Sequence, residues 1–135
     1  MAVTGLTIIL QSKAVDRIHY ALMLAAANAA LDAPTTLFFA TEAVEALTPD
    51  ALGALKTSAG EAGAAYLARL EQAGVASPAD LLEALTELEA ELAVCDTALA
   101  AAGLAAGDLD RAERFSTTGL TDILARGMTH RLVYV

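Results

Sequence analysis

The alternation of short apolar runs with segments of helical periodicity constrains the fold of this chain more than any other feature. Nearly continuous apolar runs rich in β-branched and aromatic residues are typical of strands covered on both faces. The runs occupy residues 6–10, 35–39, 92–94 leading into Cys95, and 131–135. Strands that alternate with helices favour a mostly parallel sheet with helices on both faces. The pattern therefore predicts an α/β fold with three layers.

Helical spacing describes most of the chain between these strands. Within residues 13–31, one face repeats apolar side chains at the spacing of an amphipathic helix: Ile18, Leu22, Ala25 and Ala29. A second helix is predicted to begin with Ser77 as its N-cap and Pro78 in its first position. Its apolar face comprises Leu81, Leu85, Leu88 and Leu92. Residues 42–74 also look helical, but their breaks stay unplaced because the segment is interrupted by Pro49, Gly53, Gly60 and Gly63.

Two shorter helices are predicted in the second half of the chain. One covers residues 96–102 and ends at Gly103, and the other begins near Thr118 and ends at Gly127. In the last helix the residues expected to face inward are Leu120, Ile123 and Leu124.

Length and composition predict one domain, residues 1–135, that self-associates. A chain of 135 residues forms one ordinary core, and the sequence contains no internal repeat or linker. It is 56% hydrophobic but only 4% aromatic, because alanine supplies much of the apolar content. Alanine-rich helix faces are weakly hydrophobic and need covering, so we expect a homo-oligomer.

The charge and the single cysteine limit the partners and the compartment. The net charge of −9 repels phosphate backbones, which argues against nucleic acid as a partner. One cysteine cannot form an intramolecular disulfide, which suggests a reducing compartment. No signal peptide is indicated near the start, and the longest apolar stretch, residues 20–27, is too short to span a membrane. We therefore expect a cytoplasmic protein without membrane contact.

Polar residues follow three of the predicted strands, at residues 11–13, 40–42 and 95–97. Ligands and chemistry in open α/β sheets are usually found beyond the carboxyl ends of the strands. The sequence therefore predicts a site at this edge of the sheet.

Cys95 is the candidate chemical residue, because it lies between a strand and a helix. The positive end of a helix dipole favours the thiolate, the form that attacks sulfur and electrophiles. The neighbouring Asp96 carboxylate opposes a second negative charge. The plain alternative is that Cys95 is a small, inert core residue.

The other polar residues have structural as well as functional interpretations. Ser12 and Thr41 are expected to cap the helices that follow them, and both are also expected to line the pocket near Cys95. Arg17 supplies positive charge to an anion or pairs with Asp16. The predicted pocket is completed by Asp96, Thr97 and Thr118. His19 is interpreted as a surface or partly buried residue, and the two scattered histidines make a metal site improbable.

Four blocks of the sequence resemble the DsrE/DsrF-like family. Residues 92–99, closing at Gly103, are similar to its central motif, in which an apolar strand delivers a cysteine to a small-residue helix. Residues 8–24 resemble its first strand and helix, residues 35–42 its second strand, and residues 118–124 its final helix. Asp96 is more similar to the "peroxiredoxin-like" branch of that family.

The resemblance implies a flavodoxin-like three-layer sandwich that forms trimers or hexamers. It also implies a sulfur-relay function, in which Cys95 carries a persulfide and passes the terminal sulfur to a protein partner. A sulfur carrier or sulfurtransferase of this kind needs no cofactor and no second cysteine.

Two other functions remain open. The chain could be a noncatalytic oligomeric module that holds a small ligand at the strand ends, with Cys95 in a structural role. A flavodoxin-like cofactor binder is less favoured, because three Phe, three Tyr and no Trp offer few rings to stack on a flavin.

Overall fold

The computed structural model describes residues 4–135. They form a five-stranded sheet in the order β4-β3-β2-β1-β5, and every neighbouring pair of strands is parallel. The strands are β1 (Gly5–Leu10), β2 (Thr35–Phe39), β3 (Glu91–Cys95), β4 (Ser116–Thr118) and β5 (His130–Tyr134). The α/β fold predicted from the apolar runs is confirmed.

The helices are α1 (Val15–Ala30), α2 (Ala51–Ala54), α3 (Gly63–Gln72), α4 (Pro78–Glu87), α5 (Asp96–Ala101) and α6 (Leu120–Arg126). A 3₁₀ helix, Thr41–Leu47, follows β2, and two shorter 3₁₀ turns precede β4.

The strand order explains how the helices divide between the two faces. From β1 to β4 each strand is added on the same side of the previous one, so right-handed crossovers put the connecting helices on one face. The crossover from β4 to β5 returns across the sheet, so α6 lies on the opposite face. The packing agrees, because the larger core cluster contains side chains of α1, α4 and α5. The smaller cluster joins Ile123 of α6 to the strand residues Ile9, Phe38 and Ala93 and to Ala40, which follows β2.

Helix α1 is the main support of the sheet. Its predicted apolar face is buried, as expected: Ile18, Leu22, Ala25 and Ala29. His19 is also buried, contrary to the interpretation as a surface or partly buried residue. Its Nδ1 lies 3.0 Å from the hydroxyl of Tyr66 on α3, and its Nε2 lies 2.9 Å from the carbonyl oxygen of Ala76. Both ring nitrogens have partners, which is why an imidazole is tolerated in this position.

The helix that begins at Ser77 has the predicted start. The Ser77 hydroxyl accepts from the Asp80 N–H, and the Asp80 carboxylate accepts from the Ser77 N–H, which forms a capping box. The predicted apolar face is too long, because α4 ends at Glu87. Leu88 is exposed beyond the helix, and Leu92 belongs to β3.

The helical structure of residues 42–74 is interrupted between α2 and α3. The N–H of Gly63 donates to the carbonyl oxygen of Leu55 at 2.7 Å. A Cβ at Gly63 would lie 2.0 Å from the carbonyl oxygen of Leu52, so only glycine fits this close approach.

Strand β4 and the burial of α6 differ from the predictions. Residues 116–118 are polar and lie at the sheet edge, so they lack the apolar run that marks the other strands. Because Thr118 ends this strand, the last helix begins at Leu120 rather than near Thr118. Leu120 and Leu124, which were expected to face inward, are 49% and 44% exposed. A seven-residue helix over this face buries only Ile123.

Candidate functional site

Cys95 lies at the carboxyl edge of the sheet, at the end of β3. It is the N-cap residue of α5 and pairs in register with Thr118 of β4. The residue is half-buried, and it packs against both the large core cluster and the small cluster beneath α6. Part of the cysteine therefore belongs to the core and part of it faces solvent.

The surroundings of Cys95 are acidic. Asp96 accepts hydrogen bonds from the backbone N–H of Thr97 at 2.7 Å and from its hydroxyl at 3.3 Å. The hydroxyl of Thr118 donates to the Asp122 carboxylate at 3.0 Å. A Cβ at Gly119 would lie 3.8 Å from Asp96 Oδ2, so that carboxylate lies beside the end of β4. Four predicted site residues are thus grouped here: Cys95, Asp96, Thr97 and Thr118.

The other three predicted residues surround a separate crevice at the ends of β1 and β5. Its volume is about 560 Å³, and its lining includes Ser12, Arg17, Thr41 and Tyr134 but not Cys95. The chain leaves β1 towards β2 and enters β5 from the opposite side of the sheet. The crevice therefore lies at the topological switch point, where open α/β sheets usually bind ligands.

Thr41 has an unusual backbone conformation at this crevice. Its φ of 48° lies in the left-handed region, which a β-branched residue rarely adopts. The hydroxyl donates to the carbonyl oxygen of Gln11 at 2.8 Å and holds the end of β2 against the end of β1. The prediction that Thr41 caps the next helix is wrong, since Ala40 is the N-cap and Thr41 is the first residue of the 3₁₀ helix.

Ser12 also differs from its predicted capping role. The N-cap of α1 is Ala14, which has no side-chain cap, and the Ser12 hydroxyl accepts from the Ala14 N–H at 3.0 Å. This hydrogen bond lies in the turn before α1, so Ser12 does not cap the first turn of the helix.

Arg17 reaches Asp16 through Ser58 instead of pairing with it directly. Its Nε donates to the Ser58 hydroxyl at 3.2 Å. Ser58 in turn donates to Asp16 through its backbone N–H at 2.8 Å and through its hydroxyl at 2.7 Å. Burial tends to raise the pKa of Asp16, but these hydrogen bonds outweigh it and hold the pKa below 3.8.

Sequence reasoning missed a third feature, a cleft lined by residues of α2, α3 and α4. Its volume is about 410 Å³, and its walls include Leu52, Leu67, Leu82 and Phe115. Arg111 and Arg114 lie at its rim, and each approaches the same carboxylate oxygen of Glu83, at 3.2 and 2.9 Å. The close polar contact with Arg114 and its positive charge lower the pKa of Glu83, and Arg111 adds to the effect. The available signal was two arginines three residues apart beside an aromatic residue, in a chain with only eight basic residues.

Two general properties follow from the described part of the chain. None of the helices within residues 4–135 is long and apolar enough to cross a membrane. Over the same range, no group of three or more His, Cys, Asp and Glu side chains could hold a metal ion.

Comparison with known proteins supports the fold and goes no further. No family model matches the chain, and no curated protein matches its sequence. The crystal structure of the YchN protein from E. coli is similar over 97% of this chain and 99% of that chain, with a TM-score of 0.58 and 14% sequence identity. A likeness of this extent at this identity shows that the two chains share an α/β fold.

Proposed function

We propose that this chain is a DsrE-like sulfur-handling protein in which Cys95 accepts sulfane sulfur and passes it on as a persulfide. The observation that carries the proposal is the position of Cys95, half-buried at the carboxyl end of β3 and in the N-cap position of α5. Residues 92–104 supply the sequence resemblance, and the fold likeness agrees with the architecture that this resemblance implies.

The chemistry is a pair of thiol exchange steps. The Cys95 thiolate attacks the terminal sulfur of a donor persulfide, so that an S–S bond forms at Sγ and the donor leaves as a thiolate. An acceptor thiolate then attacks the outer sulfur, and Cys95 is released as a thiolate. Each step forms one S–S bond and breaks another, without net oxidation or reduction. A single cysteine therefore suffices without a cofactor.

The charges around Cys95 indicate what kind of partner it would meet. Asp96 and Asp122 make this end of the sheet acidic, in a chain whose net charge is −9. A protein donor or acceptor would therefore approach with a basic surface, since complementary charge accelerates association.

The first test of this function is the rate at which iodoacetamide alkylates Cys95 in the native chain near pH 7.5. We expect the rate to be within about tenfold of that in the urea-unfolded chain, because part of the residue faces solvent. Asp96→Asn should raise the rate with the anionic reagent iodoacetate more than the rate with neutral iodoacetamide. A native chain that resists both reagents for hours would contradict the proposal.

One observation favours the second candidate, a noncatalytic module that binds a small ligand at the strand ends. The crevice of about 560 Å³ lies at the switch point beside the left-handed Thr41, and Cys95 is not part of its lining. Strained backbone often marks a binding site. In this case Cys95→Ala would leave the function of the chain unchanged, while Thr41→Gly would alter it.

A further inference from the structure

The cleft beside α4 has the size and lining of a small-molecule site. Its volume of about 410 Å³ falls within the roughly 300–1,000 Å³ typical of such sites. The side chains of Leu52, Leu67 and Leu82 form apolar walls. Phe115 also lines it and is fixed from behind by an edge-to-face contact with Phe39 of β2, at a ring distance of 5.8 Å. The apolar part of the cleft is therefore held by the core of the molecule.

The rim of the cleft presents donors for one carboxylate. Both Arg111 and Arg114 approach Oε2 of Glu83, which shows that one carboxylate oxygen can be reached by both guanidinium groups. Glu83 is half-exposed, so its side chain can move into solvent. Nη1 of Arg114 is buried, and its contact with Glu83 at 2.9 Å lacks the alignment of a hydrogen bond. That nitrogen therefore keeps a donor that a ligand could use.

The remaining charges exclude a polyanion. Asp50 and Asp110 also line the cleft, so together with Glu83 three carboxylates surround the two arginines. A nucleotide or a dicarboxylate would be repelled, whereas one carboxylate that displaces Glu83 into solvent would leave the charge between the arginines unchanged.

We propose that this cleft binds a small apolar monocarboxylic acid. Its carboxylate would replace Glu83 between Arg111 and Arg114, and its hydrocarbon part would lie against Leu52, Leu67, Leu82 and Phe115. Charge-assisted contacts from guanidinium groups favour a carboxylate over an uncharged polar group. The site is separate from Cys95 and does not depend on the proposed sulfur chemistry.

The test is calorimetric titration of the full chain with sodium octanoate, and with octanamide as the uncharged analogue. We expect saturable binding of one octanoate per chain and at least about tenfold weaker binding of octanamide. Arg111→Gln and Arg114→Gln should each weaken octanoate about tenfold and bring its affinity close to that of octanamide. Ala79→Phe, at an exposed position that lines the cleft, should block both ligands.

Two controls separate this site from other effects. Arg126 is ion-paired with Glu91, and α6 lies on the opposite face of the sheet, so Arg126→Gln removes the same charge and should leave octanoate binding unchanged. Cys95→Ser should also bind octanoate normally, so failure of the sulfur chemistry leaves this result intact. Thermal unfolding followed by circular dichroism checks that each variant is folded. If the Arg114→Gln variant does not fold, the binding measured with Arg111→Gln and Ala79→Phe decides the outcome. The proposal is overturned if octanoate shows no saturable binding, or if the folded cleft variants bind it as tightly as the wild type.

Discussion

At the scale of single residues, hydrogen bonds to Asp16 tie the loop around Ser58 to the start of α1. The carboxylate accepts from both the backbone N–H and the hydroxyl of Ser58, and Arg17 adds a contact to the same hydroxyl. Hydrogen bonds to an ionised carboxylate stabilise the folded chain only while the group is ionised. This arrangement makes the stability of the chain depend on pH in a predictable direction.

The pKa of Asp16 is lower in the folded chain than its ordinary value of 3.8. The folded state therefore binds fewer protons there than the unfolded state in the acid range. The stabilisation by Asp16 is fully present above pH 3.8 and is lost as the pH falls through the lowered pKa.

We expect Asp16→Asn to lower the free energy of unfolding at pH 7 and to flatten its decline below pH 4. Urea denaturation between pH 2.5 and pH 7 measures both effects. Ser58→Ala keeps the backbone N–H and should give an intermediate result. A constant difference between Asp16→Asn and the wild type at every pH would contradict the assigned cause.

The identities of the residues indicated where polar side chains lie together, but not which hydrogen bonds those side chains make. Ser12 and Thr41 have the side chains of good N-caps. The Ser12 hydroxyl, however, accepts from the N–H of the residue that precedes α1, and Thr41 adopts a positive φ. Capping depends on backbone angles that tertiary contacts decide, here the hydrogen bond from Thr41 to Gln11. Arg111 and Arg114 converge on Glu83 from 28 and 31 positions away in sequence, and no local pattern predicts such a contact.

At the scale of elements, the joint between α2 and α3 depends on one glycine. Gly63 approaches the backbone of α2 so closely that a methyl group would overlap the carbonyl oxygen of Leu52. Gly53, within α2, has room for a Cβ, whose nearest neighbour would be the Cβ of Ala64 at 4.0 Å. The same substitution at these two positions should therefore have opposite effects.

We expect Gly63→Ala to lower the free energy of unfolding by at least about 2 kcal/mol, because the backbone of α2 must move. Gly53→Ala should raise it by about 0.5–1 kcal/mol, because alanine loses less conformational entropy in a helix. Chemical denaturation of both variants tests the comparison. Equal effects of the two substitutions would show that the contact between Gly63 and the backbone of α2 leaves room for a methyl group.

The strength of the apolar signal decided which elements could be predicted. Strands β1, β2 and β3 are central and buried, so their apolar runs were visible in the sequence. Strand β4 is an edge strand of three polar residues and carries no such signal. The spacing of Leu120, Ile123 and Leu124 correctly indicated a helix, but Ile123 is the only buried residue of that helix.

At the scale of the whole molecule, the described chain leaves many large apolar side chains exposed. Helix α1 exposes Tyr20 and Met23, and Leu31 follows it, while the opposite helical layer exposes Leu120, Leu124 and Met128. Exposed apolar surface of this kind is typical of subunit interfaces. We therefore propose that the chain forms a homo-oligomer, for which the resemblance to the DsrE/DsrF-like family implies a trimer or a hexamer.

Light scattering coupled to size exclusion tests this proposal. We expect a mass of three or six times 13.8 kDa, which Leu124→Asp should reduce because a charge would be buried in the interface. Ala100→Asp is the matched control, since Ala100 is exposed and none of the exposed large apolar side chains within residues 4–135 belongs to α5. A single peak at 13.8 kDa over a wide range of concentration would contradict the proposal.

The central claim is that Cys95 carries sulfane sulfur, and intact-mass spectrometry tests it most directly. The wild type and Cys95→Ala are incubated with sodium tetrasulfide, freed of excess reagent and weighed before and after treatment with dithiothreitol. We expect the wild type to gain the mass of about one sulfur atom, dithiothreitol to remove it, and Cys95→Ala to gain nothing. No gain in the wild type, or an equal gain in the variant, would contradict the account and assign Cys95 to the core.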